Sequence, residues 1–265
     1  MRRLRIITLV CFVLSAVLLA ASTVYHNIRR DDTLPVIQCP EEPLVLSVED
    51  GEEALLQNVT AYDEKDGDLT DGVLIQGVSK SGDAATVTYA VVDSDHHVAV
   101  KQRELRYTDY VPPRFALSKE LRYSVGTQIR IKDRMTAGDM VDGDLSDRIR
   151  VTASSLTAYN PGTYPATFEV TNSMGDTSSV TLDIVVRNYE SGEPQIRLSQ
   201  YLIYRTAGED FDPMAYLDSV SGGDESAVTA VLPEGGLTKG LCQVTYSCEG
   251  WSGVTGSTVL YVITE

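Results

Sequence analysis

The concentrated chemistry of this chain is carboxylate. The phrase Asp63-Glu64-Lys65-Asp66-Gly67-Asp68-Leu69-Thr70-Asp71 returns 76 positions later (139 − 63) as Asp139-Met140-Val141-Asp142-Gly143-Asp144-Leu145-Ser146-Asp147. Four aspartates and one glycine superpose, and Thr70 is matched by Ser146. Such spacing around a glycine suits one hard cation, because calcium takes about six to eight oxygens, often from close-set aspartates in a loop. The candidate ligands are Asp63, Asp66, Asp68 and Asp71 in the first copy and Asp139, Asp142, Asp144 and Asp147 in the second. The spacing is not that of an EF-hand, and the closing glutamate is absent. The same residues have a second reading, in which each aspartate caps its own backbone in an Asx turn.

Catalytic constellations are missing from the sequence. His96-His97 follows Asp93-Ser94-Asp95 in a predicted turn, where adjacent residues face apart and chelate poorly. Gly250-Trp251-Ser252-Gly253 has its second glycine one residue early for a nucleophile elbow, with no strand–turn–helix around it. Trp251, the one tryptophan, falls in a predicted turn. Exposed, it would stack on a sugar or anchor a partner; otherwise it is a core or loop aromatic. Cys242 and Cys248 lie on one face of a predicted strand, about 20 Å apart at ~3.3 Å per residue, too far for a disulfide. They read as buried thiols.

The elements that must hold these residues are strands. Val87, Tyr89 and Val91 alternate with threonine and alanine. Ala166, Phe168 and Val170 alternate with Thr167 and Glu169, and Cys242, Val244, Tyr246 and Cys248 with Gln243, Thr245 and Ser247. A period of two marks a strand with one face in a core and one in water. Turn signals recur at Ser81-Gly82-Asp83, Asn160-Pro161-Gly162, Met174-Gly175-Asp176 and Pro233-Glu234-Gly235-Gly236. Tyr89, Phe168 and Tyr246 take equivalent places in a penultimate strand, with Asp93 and Asn172 four residues beyond the first two. Where the third unit should carry Asp-Gly-Asp it has Ser221-Gly222-Gly223-Asp224.

A repeat of this length means one small domain used several times. The expected fold is all-β: three tandem immunoglobulin-like β-sandwich domains preceded by one N-terminal transmembrane helix. The expected divisions are a basic leader at 1–5, a span at 6–25, a linker at 26–34 and domains at 35–110, 111–190 and 191–265, the last diverged. The joints carry Pro112-Pro113 and Pro194. With few cysteines, each domain is expected to rely on its own core.

Residues 6–25 carry no charge, and as a helix they span about 30 Å, the hydrocarbon thickness of a bilayer. Arg2, Arg3 and Arg5 precede them, which predicts a cytoplasmic amino terminus and an exported remainder. A cleaved signal peptide competes, with Leu19-Ala20-Ala21 as its processing site. The formal net charge is −16. Five arginines sit at or before residue 30, so the exported part is more acidic still. That excludes nucleic acid as a partner, since phosphate binding runs on Lys and Arg.

The acidic phrase, the Pro161-Gly162-Thr163-Tyr164 turn, the alternating strand and the Asn172-x-x-Gly175 turn resemble a family of bacterial immunoglobulin-like domains. That family was named from a segment of an insecticidal crystal toxin and is similar to hyalin-repeat domains. The resemblance covers the first two units better than the third. It implies a sandwich repeated on bacterial surface and secreted proteins, without catalysis. The expectation is therefore a membrane-anchored bacterial surface protein serving adhesion, envelope interaction or spacing, not an enzyme. Its expected partners are the membrane, through the helix, and a surface protein or glycan, with no cofactor beyond candidate calcium. The alternative is an accessory subunit of a cell-envelope enzyme or transporter.

Overall fold

A computed structural model describes the backbone of residues 2–29, 33–81, 84–153 and 156–265. Gly82 and Asp83 of the first turn, the leader side chains Arg2, Arg3 and Arg5, and the middle of the linker lie outside the described residues. Helix Arg2–Arg29 carries Ile7–Tyr25, a stretch long and apolar enough to cross a membrane and not buried against the protein. Phe12 and Leu19 expose 72% and 68% of their surface. Such a helix suits a membrane anchor or a signal sequence alike.

The remainder is β-sheet in three sandwiches of one plan. In the first, strands Val36–Gln38, Thr60–Asp63 and Gly67–Asp68 form one sheet, and Leu44–Leu46, Val98–Tyr107, Ala84–Val92 and Leu74–Ser81 form the other. The second repeats this with Arg114–Leu117, Met135–Asp139 and Gly143–Asp144 facing Arg122–Ser124, Thr177–Arg187, Gly162–Thr171 and Arg150–Ala153. The third sets Gln195–Leu198 and Leu217–Ser221 against Leu202–Arg205, Thr255–Thr264, Gly240–Glu249 and Thr229–Val231. Each time, the leading segment divides: its first strand joins one sheet, and its second pairs parallel with the last long strand of the other. All remaining pairings are antiparallel among the described strands.

Alternation decides which side chains are inside. Val87, Tyr89, Ala166, Phe168, Val244 and Tyr246 are wholly buried, and Val91 and Val170 nearly so. A ring of this kind is worth about 3–5 kcal/mol against alanine in a core. Tyr89 and Tyr246 each send their hydroxyl to a backbone carbonyl, of Leu55 at 2.7 Å and Pro213 at 2.6 Å, so neither polar tip is stranded. Cys248 is buried as expected, whereas Cys242 is only half-buried, with its Sγ 3.5 Å from the Thr238 carbonyl. It lies near the end of its strand, where the facing sheet no longer covers it.

The chain divides into two compact units, Met1–Thr108 and Asp109–Glu265. The first sandwich has a core of its own around Ile37, Val59, Ala61, Val73, Val87, Tyr89 and Val91. The second and third do not keep separate cores: their buried residues, from Phe115 to Val262, make one cluster. Backbone and side chains bond across this junction. The Tyr201 N–H donates to the Leu117 carbonyl at 3.0 Å, the Phe115 N–H to the Tyr204 hydroxyl at 3.0 Å, and the Thr258 hydroxyl to Glu120 at 2.9 Å. Arg122 reaches the Ser257 carbonyl, and Arg114 pairs with Glu265. Small sandwiches bury little surface alone, so sharing an apolar face enlarges the core available to both.

Candidate functional site

The acidic phrase lies where a short strand ends, turns and starts a 3₁₀ turn, at Thr70–Gly72 in the first sandwich and Ser146–Arg148 in the second. Its leading aspartate is a backbone cap. Asp63, 1% exposed, accepts the Lys65 N–H at 2.8 Å and the Asp66 N–H at 3.0 Å. Asp139 accepts the Val141 N–H at 3.1 Å and the Asp142 N–H at 2.7 Å. Gly67 and Gly143 follow with φ of 78° and 70°, a left-handed conformation that costs glycine nothing.

The second aspartate reaches out of the loop to the hairpin between the last two long strands. Asp66 accepts both the N–H and the hydroxyl of Ser94 at 2.8 Å. Asp142 accepts the N–H of Ser173 at 2.6 Å, its hydroxyl at 2.7 Å and the Arg148 guanidinium at 3.0 Å. Burial pushes the Asp142 carboxyl up, but Ser173 and Arg148 outweigh it and hold the group below the ordinary carboxylate value. The third aspartate turns back on its own loop: Asp68 on Thr70 at 3.0 Å and Asp144 on Ser146 at 2.9 Å, with both carboxyls lowered by those bonds. The fourth pair, Asp71 and Asp147, is exposed, with no hydrogen bond or ion pair among the described residues.

The hairpin side of the contact is equally built. Asp93 is 6% exposed and accepts the backbone N–H groups of Asp95 at 2.9 Å and His97 at 2.7 Å. Its other oxygen lies 2.7 Å from His97 Nδ1. Burial opposes its ionisation, yet the His97 backbone and ring hold the carboxyl below the ordinary range. His96 has φ of 72°, the turn position that Gly175 and Gly253 fill in the other sandwiches. Asn172 stands in place of Asp93, donating to Asp139 at 2.8 Å and to the Tyr110 hydroxyl at 3.0 Å. Tyr110 in turn donates to Asp176 at 2.6 Å.

The third sandwich makes the same contact with backbone alone. Gly222 stands for Asp142 and Trp251 for Ser173, and the Trp251 N–H donates to the Gly222 carbonyl at 3.0 Å. Gly223 and Gly250 form an isolated β-bridge. A Cβ on Gly250 would lie 2.8 Å from Pro194 and 3.0 Å from the Gly222 carbonyl oxygen, so the glycines are what allow the approach. Asp224 keeps its local bond to Ser226 at 2.9 Å. The sequence carries the signal for this pairing: the central acid of the phrase and the Asp93 or Asn172 position are lost together in the third unit. Neither motif by itself displays it.

The aspartates therefore come together as caps and staples. Among the described residues no three His, Cys, Asp or Glu side chains are grouped as a metal site requires. Trp251 lies in the turn between the last two long strands of the third sandwich, with its side chain 82% exposed. That turn is braced by Gly250 N–H to Val254 at 2.8 Å and by the Ser252 hydroxyl to the Gly192 carbonyl at 2.7 Å.

Sandwiches of this strand plan, with a divided leading segment and a parallel closing pair, are immunoglobulin-like. No family model matches the chain. Over 148 residues it is 28% identical to the pesticidal crystal protein Cry22Aa of Bacillus thuringiensis, a match covering 52% of this chain and 19% of that protein. Among solved structures, CBM51-2 in complex with GlcNAc and INT domains from Clostridium perfringens ZmpB aligns at 17% identity and TM-score 0.23, over 55% of this chain and 26% of that one. Mouse cadherin-23 EC22-24 aligns at 14% identity and TM-score 0.22, over 88% and 99%.

Proposed function

We propose that this is a membrane-anchored bacterial surface protein that acts by non-catalytic binding, with its immunoglobulin-like sandwiches presenting a contact surface outside the cell. The observation that carries the reading is Trp251. A large aromatic left 82% exposed on a turn tied at both flanks is a preformed contact, able to bury area without first being ordered. Exposed rings of this kind dominate partner and sugar binding when they find a complementary face. The unburied apolar helix Ile7–Tyr25 supports an anchor.

The test is a glycan and surface-protein array probed with the full chain and with Trp251→Ala. Binding by the parent that the variant loses supports the reading; binding unchanged in the variant removes Trp251 from it. Fractionation and intact-mass measurement of the native protein test the anchor, since a chain beginning after Ala21 in the soluble fraction excludes it. Removal of residues 191–265 is not a clean test, because it would strip the second sandwich of its shared core.

A further inference from the structure

Where the second and third sandwiches meet, a cavity of about 420 Å³ opens to solvent, lined by Ser118, Lys119, Glu120, Arg122, Arg134, Tyr189, Gln195, Arg197, Tyr201 and Asp218 among others. Four cations face two carboxylates, in a chain of net charge −16. Glu120 is already engaged by Arg122 and Thr258, and Asp218 lies 3.3 Å from the Ser219 hydroxyl. Arg134 is held rigid: its guanidinium stacks on Tyr123 at 3.9 Å, and one Nη donates to the Glu120 and Arg122 carbonyls. Its other nitrogens have no partner among the described residues. Lys119 and Arg197 are exposed and make no ion pair or side-chain hydrogen bond among them. A local positive pocket on an acidic protein concentrates field on one spot. The rest of the lining suits a sugar. Tyr189 is 37% exposed, with the Arg187 guanidinium over its ring at 5.1 Å from the centroid, and the buried Tyr201 hydroxyl, which accepts the Leu198 N–H at 3.2 Å, keeps its own proton to donate.

We propose that this cavity binds an acidic saccharide, its carboxylate or phosphate held by Arg134, Arg197 and Lys119 and its ring lying against Tyr189. The site goes beyond the Trp251 contact and does not depend on it. The test is calorimetric titration of the full chain in detergent, at fixed ionic strength, with glucuronate, glucose 6-phosphate, inorganic phosphate and glucose. Saturable binding of either acidic sugar, absent for glucose, is expected. Arg197→Gln and Lys119→Gln, both on exposed side chains, should each weaken it about fivefold to tenfold, the size of one charge-assisted hydrogen bond near the surface. Asp218→Asn should tighten it, and Trp251→Ala should leave it unchanged. Glucose binding as well as its acidic relatives, no saturation by either acid, or indifference to Arg197→Gln and Lys119→Gln would each overturn the site. Phosphate binding as tightly as glucose 6-phosphate would overturn the saccharide assignment.

Discussion

Replacing Asp142 by alanine separates the two readings of the acidic phrase. The carboxylate takes three donors, but they do not count equally. Arg148 is half-exposed, so losing that pair returns it to water at little cost. The Ser173 hydroxyl likewise finds water. The Ser173 backbone N–H at 2.6 Å is the contact that matters, because it ties the loop to the hairpin. A hydrogen bond to a charged acceptor contributes about 1.5–3 kcal/mol, and the exposure of Ser173 favours the lower end. The expected loss is about 2 kcal/mol, or a fall in Tm of roughly 4–8 °C for a unit of about 150 residues. Urea and thermal unfolding of the full chain, read by circular dichroism, should show this loss equally in EDTA and in millimolar calcium. Asp147→Ala should change stability by less than about 0.5 kcal/mol in both buffers. A loss seen only with calcium, or an Asp147→Ala loss matching that of Asp142→Ala, would refute the staple and return both residues to a cation.

Further outcomes follow from the same contacts. Tyr261→Ala, at a side chain 6% exposed inside the shared cluster, should cost about 3–5 kcal/mol; calorimetry should show residues 109–265 melting in one transition before and after the change. Gly256→Ala should destabilise by about 1–3 kcal/mol or more, because its Cβ would sit 2.2 Å from the Pro194 carbonyl oxygen; urea midpoints would measure it. Asp68, Asp142, Asp144 and Asp224 all have lowered carboxyl pKa values. Their contribution is therefore complete above the unfolded value of about 3.9 and is lost as pH falls through the folded values. Tm should stay flat from these groups between pH 5 and 7, two values at which all four are ionised, and drop below about pH 4.

Much of the fold was legible because period-two burial is a local property of sequence. The triplets around Tyr89, Phe168 and Tyr246 mark core positions in each sandwich from their alternation alone. The Asp phrase was also readable, as a choice between turn and cation. What stayed hidden was non-local. Nothing near Asp142 announces Ser173, 31 residues away, nor that Gly222 and Trp251 repeat the bond with backbone atoms. The shared core was hidden for the same reason. In sequence Tyr201, Tyr204 and Tyr261 look like ordinary core aromatics, and only their partners Leu117, Phe115 and Asp183 reveal that they close a neighbouring module. The cationic cavity needs both modules, so no stretch of sequence displays it.

The divided leading segment bears on how the chain carries load. Leu44–Leu46 runs alongside Val98–Tyr107, and Arg122–Ser124 alongside Thr177–Arg187, each pair pointing the same way. Tension applied through the polypeptide draws such neighbours past one another, so their bonds resist together instead of opening one by one like a zip. A sandwich built this way stretches little until the whole clasp gives.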